Sequence, residues 1–239
     1  IVSKYKKTIF GLLVCWWTLL FLTGGRGAPI AITAAILVSF LVYRRESISF
    51  VKTQGLAAVF GIMVYTFLNN FVYTSSTSTI LRSVVSRRLE LWERAIDLIV
   101  QNPLFGVGGM HYAWPPNYLS NHPHNSVLQI ASEWGLPAAL VALGLFFYCL
   151  VCWIKRFNYK TVSGPNGEVN RQVIVVLFCS LLAGAIYSLV SGVIVMPLSQ
   201  IMAALVIGLM LGVYQSIDEE KVRFPIRIGK KELTIKTYL

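Results

Sequence analysis

His122 and His124 lie in the polar segment NHPHN, residues 121–125, of a chain that is 56% hydrophobic. A neutral imidazole accepts a proton near neutral pH, which is the chemistry of a general base. Pro123 suits a first helical position, with Asn121 or His122 as the cap. His124 then lies in the first helical turn, where the helix dipole disfavours the imidazolium ion. The segment predicts a general base at His124, and a purely structural histidine is the alternative.

A zinc site is another chemistry that these histidines suggest. His122 and His124 are separated by one residue, His111 is the third histidine of the chain, and no carboxylate lies beside them. Such a set is poor for tetrahedral zinc, so we predict neither a metal nor another cofactor. The sequence GVGG at 106–109 resembles a phosphate-binding loop only loosely. No GK[ST] follows it, which argues against a nucleotide P-loop.

The segment SRRLELWERAIDLIVQ, residues 86–101, predicts an amphipathic helix that ends at Asn102-Pro103. With Trp92 as the centre and about 100° per residue, four apolar residues lie within about 60° of it: Leu89, Ala95, Ile96 and Ile99. Six polar residues lie about 100° or more away: Arg87, Glu90, Glu93, Arg94, Asp97 and Gln101. Arg88 lies about 40° from Trp92, inside the predicted apolar stripe. An arginine there needs an anion, either a carboxylate in a salt bridge or a bound phosphate.

A second arginine, Arg26, lies in TGGRGAP, residues 23–29, between two apolar runs. The glycines around it expose the backbone and let a ligand approach closely. One interpretation is an arginine that reaches lipid headgroups. The other is a functional cation at the edge of the hydrocarbon, suited to phosphate. Both stay open at this point.

The composition assigns these residues to a membrane protein. Charged residues make up only 13% of the 239 residues, and the apolar residues form long runs rather than alternating patterns. We predict six membrane spans, near residues 8–22, 30–43, 56–73, 136–154, 173–190 and 198–214. The fold class is an all-α polytopic membrane protein with a large outer loop that contains short amphipathic helices.

The predicted spans divide the chain into four parts. Residues 1–73 hold three transmembrane helices and the Arg26 hairpin, and residues 74–135 form the outer loop with the candidate catalytic motifs. Residues 136–217 hold three more transmembrane helices, and residues 218–239 form a basic cytoplasmic tail. The net charge of +11 does not indicate nucleic-acid binding, because no basic surface stretch with interleaved aromatic residues is present.

Basic residues also predict the orientation, because Lys and Arg favour the cytoplasmic side. With the N-terminus inside, the six spans leave every lysine in the cytoplasm. The five basic residues on the outer side are all arginines: Arg26, Arg82, Arg87, Arg88 and Arg94. Arginine suits a fixed grip on phosphate oxygens, although a chance distribution explains five residues equally. The same orientation brings segments 23–29, 74–135 and 191–197 to one outer face.

Hydrolytic chemistry is not favoured by the outer residues. Three of the four outer acids lie on the predicted solvated helix face, so paired-carboxylate glycosidase chemistry lacks support. The four are Glu90, Glu93, Asp97 and Glu133. No GxSxG elbow indicates a serine hydrolase.

Three motifs in order resemble the O-antigen ligase and polymerase superfamily of bacterial envelope glycosyltransferases. They are GGRGAP after one span, SRRLELW-x-RA-x(6)-NPLFGVG in the outer loop, and HPHN-x(9)-GLPA before the next span. The resemblance covers about residues 20–155. In the ligases a GxxG follows the His-Asn pair after nine residues; here Gly135 is present but Ala138 replaces the second glycine. Family members usually have about twice as many spans, so the resemblance implies a C-terminal half whose N-terminal half is missing.

The resemblance implies an inverting, metal-independent transfer at the periplasmic face of the bacterial inner membrane. The donor is a glycan on undecaprenyl pyrophosphate, and the acceptor is a hydroxyl of lipid A–core oligosaccharide or another glycan. By motif, Arg26 and Arg88 hold the pyrophosphate and His124 activates the acceptor. We assign substrate binding to neighbouring polar and aromatic residues: Arg87, Arg94, His122, Asn125 and Tyr112.

Other functions are compatible with the same motifs. An O-antigen polymerase and a protein O-oligosaccharyltransferase use the same lipid-linked donor with a different acceptor. A transporter of lipid-linked glycans is an alternative from another class, in which the arginines line a path. A transporter predicts functional groups at the membrane midplane, whereas the candidate residues cluster at one face.

Overall fold

The computed structural model describes residues 5–72, 78–114, 120–158, 167–222, 225–228 and 231–234. Eight α-helices make up most of these ranges: α1 (Lys6–Leu22), α2 (Gly27–Val42), α3 (Arg44–Val72), α4 (Ser78–Gln101), α5 (Ser126–Trp134), α6 (Leu136–Asn158), α7 (Gly167–Ser188) and α8 (Pro197–Val222). A 3₁₀ turn covers His111–Ala113. Near the end of the chain, β1 (Pro225–Ile228) pairs antiparallel with β2 (Lys231–Thr234). The predicted all-α membrane fold is confirmed, with this short hairpin as an addition.

Six of these helices occupy the six predicted spans. Within the described ranges, four segments are long and apolar enough to cross a membrane: Arg44–Asn70, Leu136–Phe157, Arg171–Ser188 and Pro197–Gln215. The first two helices have 17 and 16 residues, short of the roughly 20 that cross a bilayer core. The chain is therefore a multi-pass membrane protein with four helices of full spanning length in its described part.

The third span differs from its prediction. α3 begins at Arg44, with only Tyr43 between it and the end of α2, so Arg45 and Lys52 belong to its first turns rather than to a loop. Neither Gly nor Pro interrupts the sequence before Gly55, so nothing stops the helix there. Glu46 in the first turn suits the positive end of the helix dipole.

The main core lies between α2, α7 and their neighbours α3, α6 and α8. Tyr43, between α2 and α3, packs edge-on against Phe178 of α7, with ring centroids 5.3 Å apart. At the other end of the pair, a Cβ added to Gly27 would lie 3.1 Å from Val190 Cγ2. The two helices are therefore antiparallel, and the turn before α2 lies beside the turn after α7. We call this end of the helices the site end.

A loop between α4 and α5 holds the end of α5 in place. The backbone N–H of Val107 donates to Ser132 O and that of Gly108 to Glu133 O, each over 2.9 Å. Gly106 and Gly135 have φ of 66° and 89°. A Cβ on either glycine would collide with the opposite backbone, at 2.4 Å and 2.2 Å respectively. Two amides of the GVGG segment, those of Val107 and Gly108, are therefore taken up by carbonyls of α5 and do not cradle a phosphate.

Candidate active site

The helix that follows the histidines begins at Ser126, and its cap is Asn125. Asn125 Oδ1 accepts hydrogen bonds from the backbone N–H groups of Val127, over 3.0 Å, and Leu128, over 3.1 Å. The predicted start at Pro123 is wrong, because the Asn125 side chain satisfies the free amides of the first turn. This bond gives Asn125, assigned to substrate binding from the motif, a structural role at its Oδ1 atom.

The backbone at His124 has a left-handed conformation, with φ of 54°. This is uncommon outside glycine, although histidine and asparagine adopt it more often than other residues. Both neighbours hold the chain in place: Trp92 Nε1 of α4 donates to Pro123 O over 3.0 Å, and Asn125 caps α5. A strained residue fixed by its surroundings is a frequent feature of functional sites.

The imidazole of His124 is surrounded by groups that keep it neutral. Burial lowers its pKa first, and the neighbouring His122 and Arg88 charges lower it further. The rings of His122 and His124 meet edge to face, with centroids 4.1 Å apart and planes at 75°. Burial lowers the pKa of His122 as well. The predicted neutral histidine therefore has a different cause from the helix dipole, since His124 precedes α5 rather than lying in it.

These two histidines are not part of a larger set of metal-binding groups in the described part of the chain. No three His, Cys, Asp or Glu side chains converge within those ranges. The rings of His122 and His124 are in contact, and the charge of Arg88 acts on His124. This arrangement suits proton transfer.

Arg88 belongs to the packed face of α4. Leu91 and Ala95, exposed by 3% and 0%, form a small core with Tyr112. On a helical projection they lie about 100° and 60° to one side of Trp92, and Arg88 lies about 40° to that side. The predicted apolar stripe is therefore displaced, because Leu89 and Ile96 on the other side are exposed by 53% and 49%.

Arg88 lies about 40° from the midpoint of Leu91 and Ala95, so it belongs to the observed buried face as it did to the predicted stripe. Its side chain is half-buried, and its charge acts on His124. Arg88 forms no salt bridge with any residue that the structure describes. The sequence left two partners open for Arg88, a carboxylate of the protein or a bound phosphate. No carboxylate of the described residues lies within salt-bridge distance of Arg88, and this favours an anion supplied by a ligand.

Arg26 lies at the site end, immediately before α2. Its side chain is exposed and forms no ion pair within the described ranges. Two contacts join this region to the histidine segment. Ser126 Oγ donates to Ser188 O at the end of α7 over 3.0 Å, and Gly192 lies against His122. The three residues named from the motifs thus lie at one end of the helices, with Arg88 beside His124 and Arg26 joined to them through α7.

Three further residues assigned to substrate binding have different surroundings. The side chain of Arg87 lies outside the described residues. Arg94 is half-buried rather than solvated, and its Nε lacks a hydrogen-bond partner among the described atoms. Tyr112 is fully buried, and its hydroxyl donates to Leu91 O over 2.8 Å. The substrate-binding role predicted for Tyr112 is wrong, because neither face of its ring is accessible.

The aromatic residues on either side of Tyr112 remain on the surface. His111 and Trp114 are exposed and stack on each other, with ring centroids 5.0 Å apart and planes at 9°. The 3₁₀ turn over His111–Ala113 separates them from the buried tyrosine. Successive side chains of this turn point in different directions, so the ring of Tyr112 is buried while those of His111 and Trp114 are exposed. The aromatic composition of the loop does not show which ring is accessible.

The sequence did not identify the turn between α7 and α8 as part of the site. A Cβ added to Gly192 would lie 2.6 Å from His122 Cε1 and 2.7 Å from His122 Nε2. Gln129 of α5, exposed by 4%, lines the same narrow cleft. Segment 191–197 was recognised only as a break between spans on the outer side. The glycine in that break was the one signal that pointed to a close approach.

Comparison with known protein families identifies a match for this chain. A family model described as O-antigen ligase matches residues 11–143, which is more than half of the chain and includes Arg26, Arg88 and His124. A search of curated proteins finds no match.

Proposed function

The chain belongs to the O-antigen ligase family, and on this premise we propose that it transfers a glycan from undecaprenyl pyrophosphate to a hydroxyl of lipid A–core oligosaccharide. Family membership supports a membrane transferase of the O-antigen ligase or polymerase type. The observation that carries the finer proposal is that Arg88 lies near enough to His124 for its charge to lower the pKa of the imidazole. Arg88 forms no salt bridge with a carboxylate among the described residues.

The proposed reaction is a single displacement at the anomeric carbon of the donor sugar. The acceptor oxygen forms the new glycosidic bond from the face opposite the pyrophosphate, and His124 takes the proton of that hydroxyl. The bond between the anomeric carbon and the phosphate oxygen breaks, and the pyrophosphate leaves with the electron pair. One displacement inverts the anomeric configuration.

The arginines stabilise the charge that develops on the leaving pyrophosphate. Arg88 binds from the half-buried face of α4, and Arg26 from the exposed turn before α2. A guanidinium group offers two parallel N–H donors to phosphate oxygens, and it keeps its charge at any physiological pH. Preorganised donors of this kind stabilise a transition state without a metal ion.

We propose that the site faces the periplasm. Five lysines in the described helices lie away from the site end: Lys6 and Lys7 at the start of α1, Lys52 in the first turns of α3, Lys155 near the end of α6 and Lys221 near the end of α8. Because lysines favour the cytoplasmic side, this distribution supports an outward site. A cysteine introduced at Arg26 should react with a membrane-impermeant maleimide in intact spheroplasts.

Lipopolysaccharide gels of a strain that lacks the gene test the proposal. Loss of a ligase leaves bare core and accumulated lipid-linked polymer. Core that carries one repeat identifies a polymerase instead, and normal lipopolysaccharide with unglycosylated envelope protein identifies a protein transferase. Purified full-length protein in nanodiscs, given donor and acceptor with EDTA, should form product; no transfer without a divalent cation contradicts the metal-independent mechanism.

A further inference from the structure

A row of exposed apolar side chains runs along α4 and into the turn that follows it. Leu89, Ile96 and Val100 belong to α4, and Leu104 and Phe105 belong to the turn at residues 103–105. The last three of these side chains are exposed by 72%, 63% and 85%. We call these five residues the apolar row. None of them has a role in the proposed reaction, and apolar surface of this kind is typical of a contact with a protein or a membrane.

Helix α4 has three different faces. On a helical projection, Leu91 and Ala95 lie about 60–100° to one side of Trp92, and they form the buried face. The α4 members of the apolar row lie about 40–80° to the other side of Trp92. Glu90 and Asp97 lie farther round, at about 140–160°, and are exposed. An apolar face beside a charged face is typical of a helix that lies in a membrane interface.

Helix α6 indicates the depth of the bilayer relative to this row. Its spanning segment begins at Leu136, and its first charged residue is Lys155. At about 1.5 Å per residue, residues 136–154 extend about 28 Å, close to the roughly 30 Å of a hydrocarbon core. Because Lys155 favours the headgroups at one boundary of that core, Leu136 lies at the other boundary.

The turn at residues 103–105 is joined directly to this boundary. The backbone N–H of Leu136 donates to Pro103 O over 2.8 Å. Trp134, two residues before Leu136, is exposed by 61%, and tryptophan is enriched at membrane interfaces. The side chains of Leu104 and Phe105 therefore extend from a backbone that lies at the depth where the hydrocarbon begins.

The exposed side of α6 indicates which partner covers the row. Leu140 and Phe147 lie within about 40° of Leu136 on the helix, and they are exposed by 68% and 59%. On a helix of spanning length, a stripe of exposed apolar side chains is a surface for lipid. The turn at residues 103–105 continues this stripe at its end, so the bilayer is a partner that contacts both.

We propose that the apolar row is a membrane anchor, in which Leu104 and Phe105 insert into the leaflet at the site end. The α4 members of the row then lie along the surface of that leaflet. On the projection, Arg88 lies between the buried face and the apolar row, so the anchor keeps its guanidinium group at the level of the lipid headgroups. The anchor depends on the membrane class of the chain and not on the proposed reaction.

Spin-label accessibility in the full-length protein tests the anchor, in nanodiscs of phosphatidylethanolamine and phosphatidylglycerol. A nitroxide is attached to the variant Phe105→Cys after the native cysteines are replaced by alanine. Oxygen partitions into lipid and a nickel chelate stays in water, so the label should collide with oxygen and lose its collisions with nickel. The matched control is Gln101→Cys on the exposed charged side of α4, where the label should collide mainly with nickel.

Photocrosslinking is a second measurement, which leaves the native cysteines in place. Benzoylphenylalanine in place of Phe105 keeps an aromatic side chain, and irradiation should add the mass of one phospholipid to the protein. The same substitution at Gln101 should add none. If the cysteine-free protein does not fold, crosslinking alone decides between lipid, water and protein as the partner.

Each outcome supports or overturns the anchor. A lipid adduct and oxygen access at residue 105 support it. Nickel access at residue 105 equal to that at residue 101, or no adduct at residue 105, assigns the row to water and overturns it. A crosslink to another helix or to a second copy, with access by neither reagent, assigns the row to a protein interface and also overturns it. None of these measurements requires transfer, so they test the anchor separately from the proposed function.

Discussion

His124→Asn is the sharpest test of the proposed base. Asparagine lacks a basic nitrogen, so it removes proton acceptance from the acceptor hydroxyl. General acid–base catalysis contributes about 10²- to 10⁴-fold to enzymatic rates. We therefore expect kcat to fall by at least about 100-fold, with the donor KM within about twofold of the wild type, because the arginines that bind pyrophosphate are untouched.

The backbone makes asparagine a better substitute here than alanine. His124 has φ of 54°, and asparagine adopts this region more readily than alanine, for which it costs roughly 1–2 kcal/mol. His124→Ala should lose activity and also fold less well, whereas His124→Asn should lose activity alone. Protein level and thermal stability in detergent separate these effects.

The assay is single-turnover transfer from purified lipid-linked donor to lipid A–core, followed by gel or mass spectrometry. Bound donor is measured separately with the reaction blocked by omission of acceptor. An asparagine variant that retains activity within about threefold of the wild type refutes the base assignment. If the variant loses donor binding as well as transfer, His124 contributes instead to binding of the pyrophosphate donor.

The remaining predictions concern the charges around His124 and one glycine. Because burial, His122 and Arg88 lower the pKa of His124 from its usual 6.5, its basic form predominates at pH 7, and kcat/KM should fall as the pH drops through that lowered pKa. Arg88→Gln should lower kcat about 10²- to 10³-fold and move this acid limb to higher pH, since one of the charges that lower the pKa is gone. Arg88→Lys keeps the charge, so the acid limb should stay in place, but kcat should fall about tenfold or more because lysine lacks the two-pronged phosphate contact; full activity with lysine argues against that contact. Gly135→Ala should abolish stable expression, because a Cβ there lies 2.2 Å from Leu104 O at φ of 89°, whereas Gly144→Ala, which meets nothing within 4 Å, should express normally.

The helices show what local patterns predict. Long apolar runs identified the all-α membrane fold and the order of its helices, since spanning helices need continuous hydrophobic sequence. The ends were less certain: α3 begins at Arg44, within the segment that we had predicted as a cytoplasmic loop. An apolar run shows only the part of a helix that lies inside the bilayer. The helix itself extends past that run until a residue such as Gly or Pro ends it.

The packed face of α4 illustrates a second difference. Periodicity placed Leu89, Ala95 and Ile96 in one apolar stripe, but Leu89 and Ile96 are exposed, and Ala95 packs in a row with Leu91 instead. In a soluble protein the most apolar face is the core face. At a membrane surface, apolar side chains also favour the lipid boundary, so the pattern alone does not distinguish protein contact from lipid contact.

The amino-acid sequence by itself determined the membrane class, the three motifs and the candidate residues Arg26, Arg88 and His124, because these depend on residue types and local order. Tertiary structure decided which groups surround them. Only the folded chain brings α4 beside His124, buries Tyr112, and packs Gly192 of the α7–α8 turn against His122. Residues far apart in the chain meet through helix packing, and the spacing within each segment carries no record of that packing.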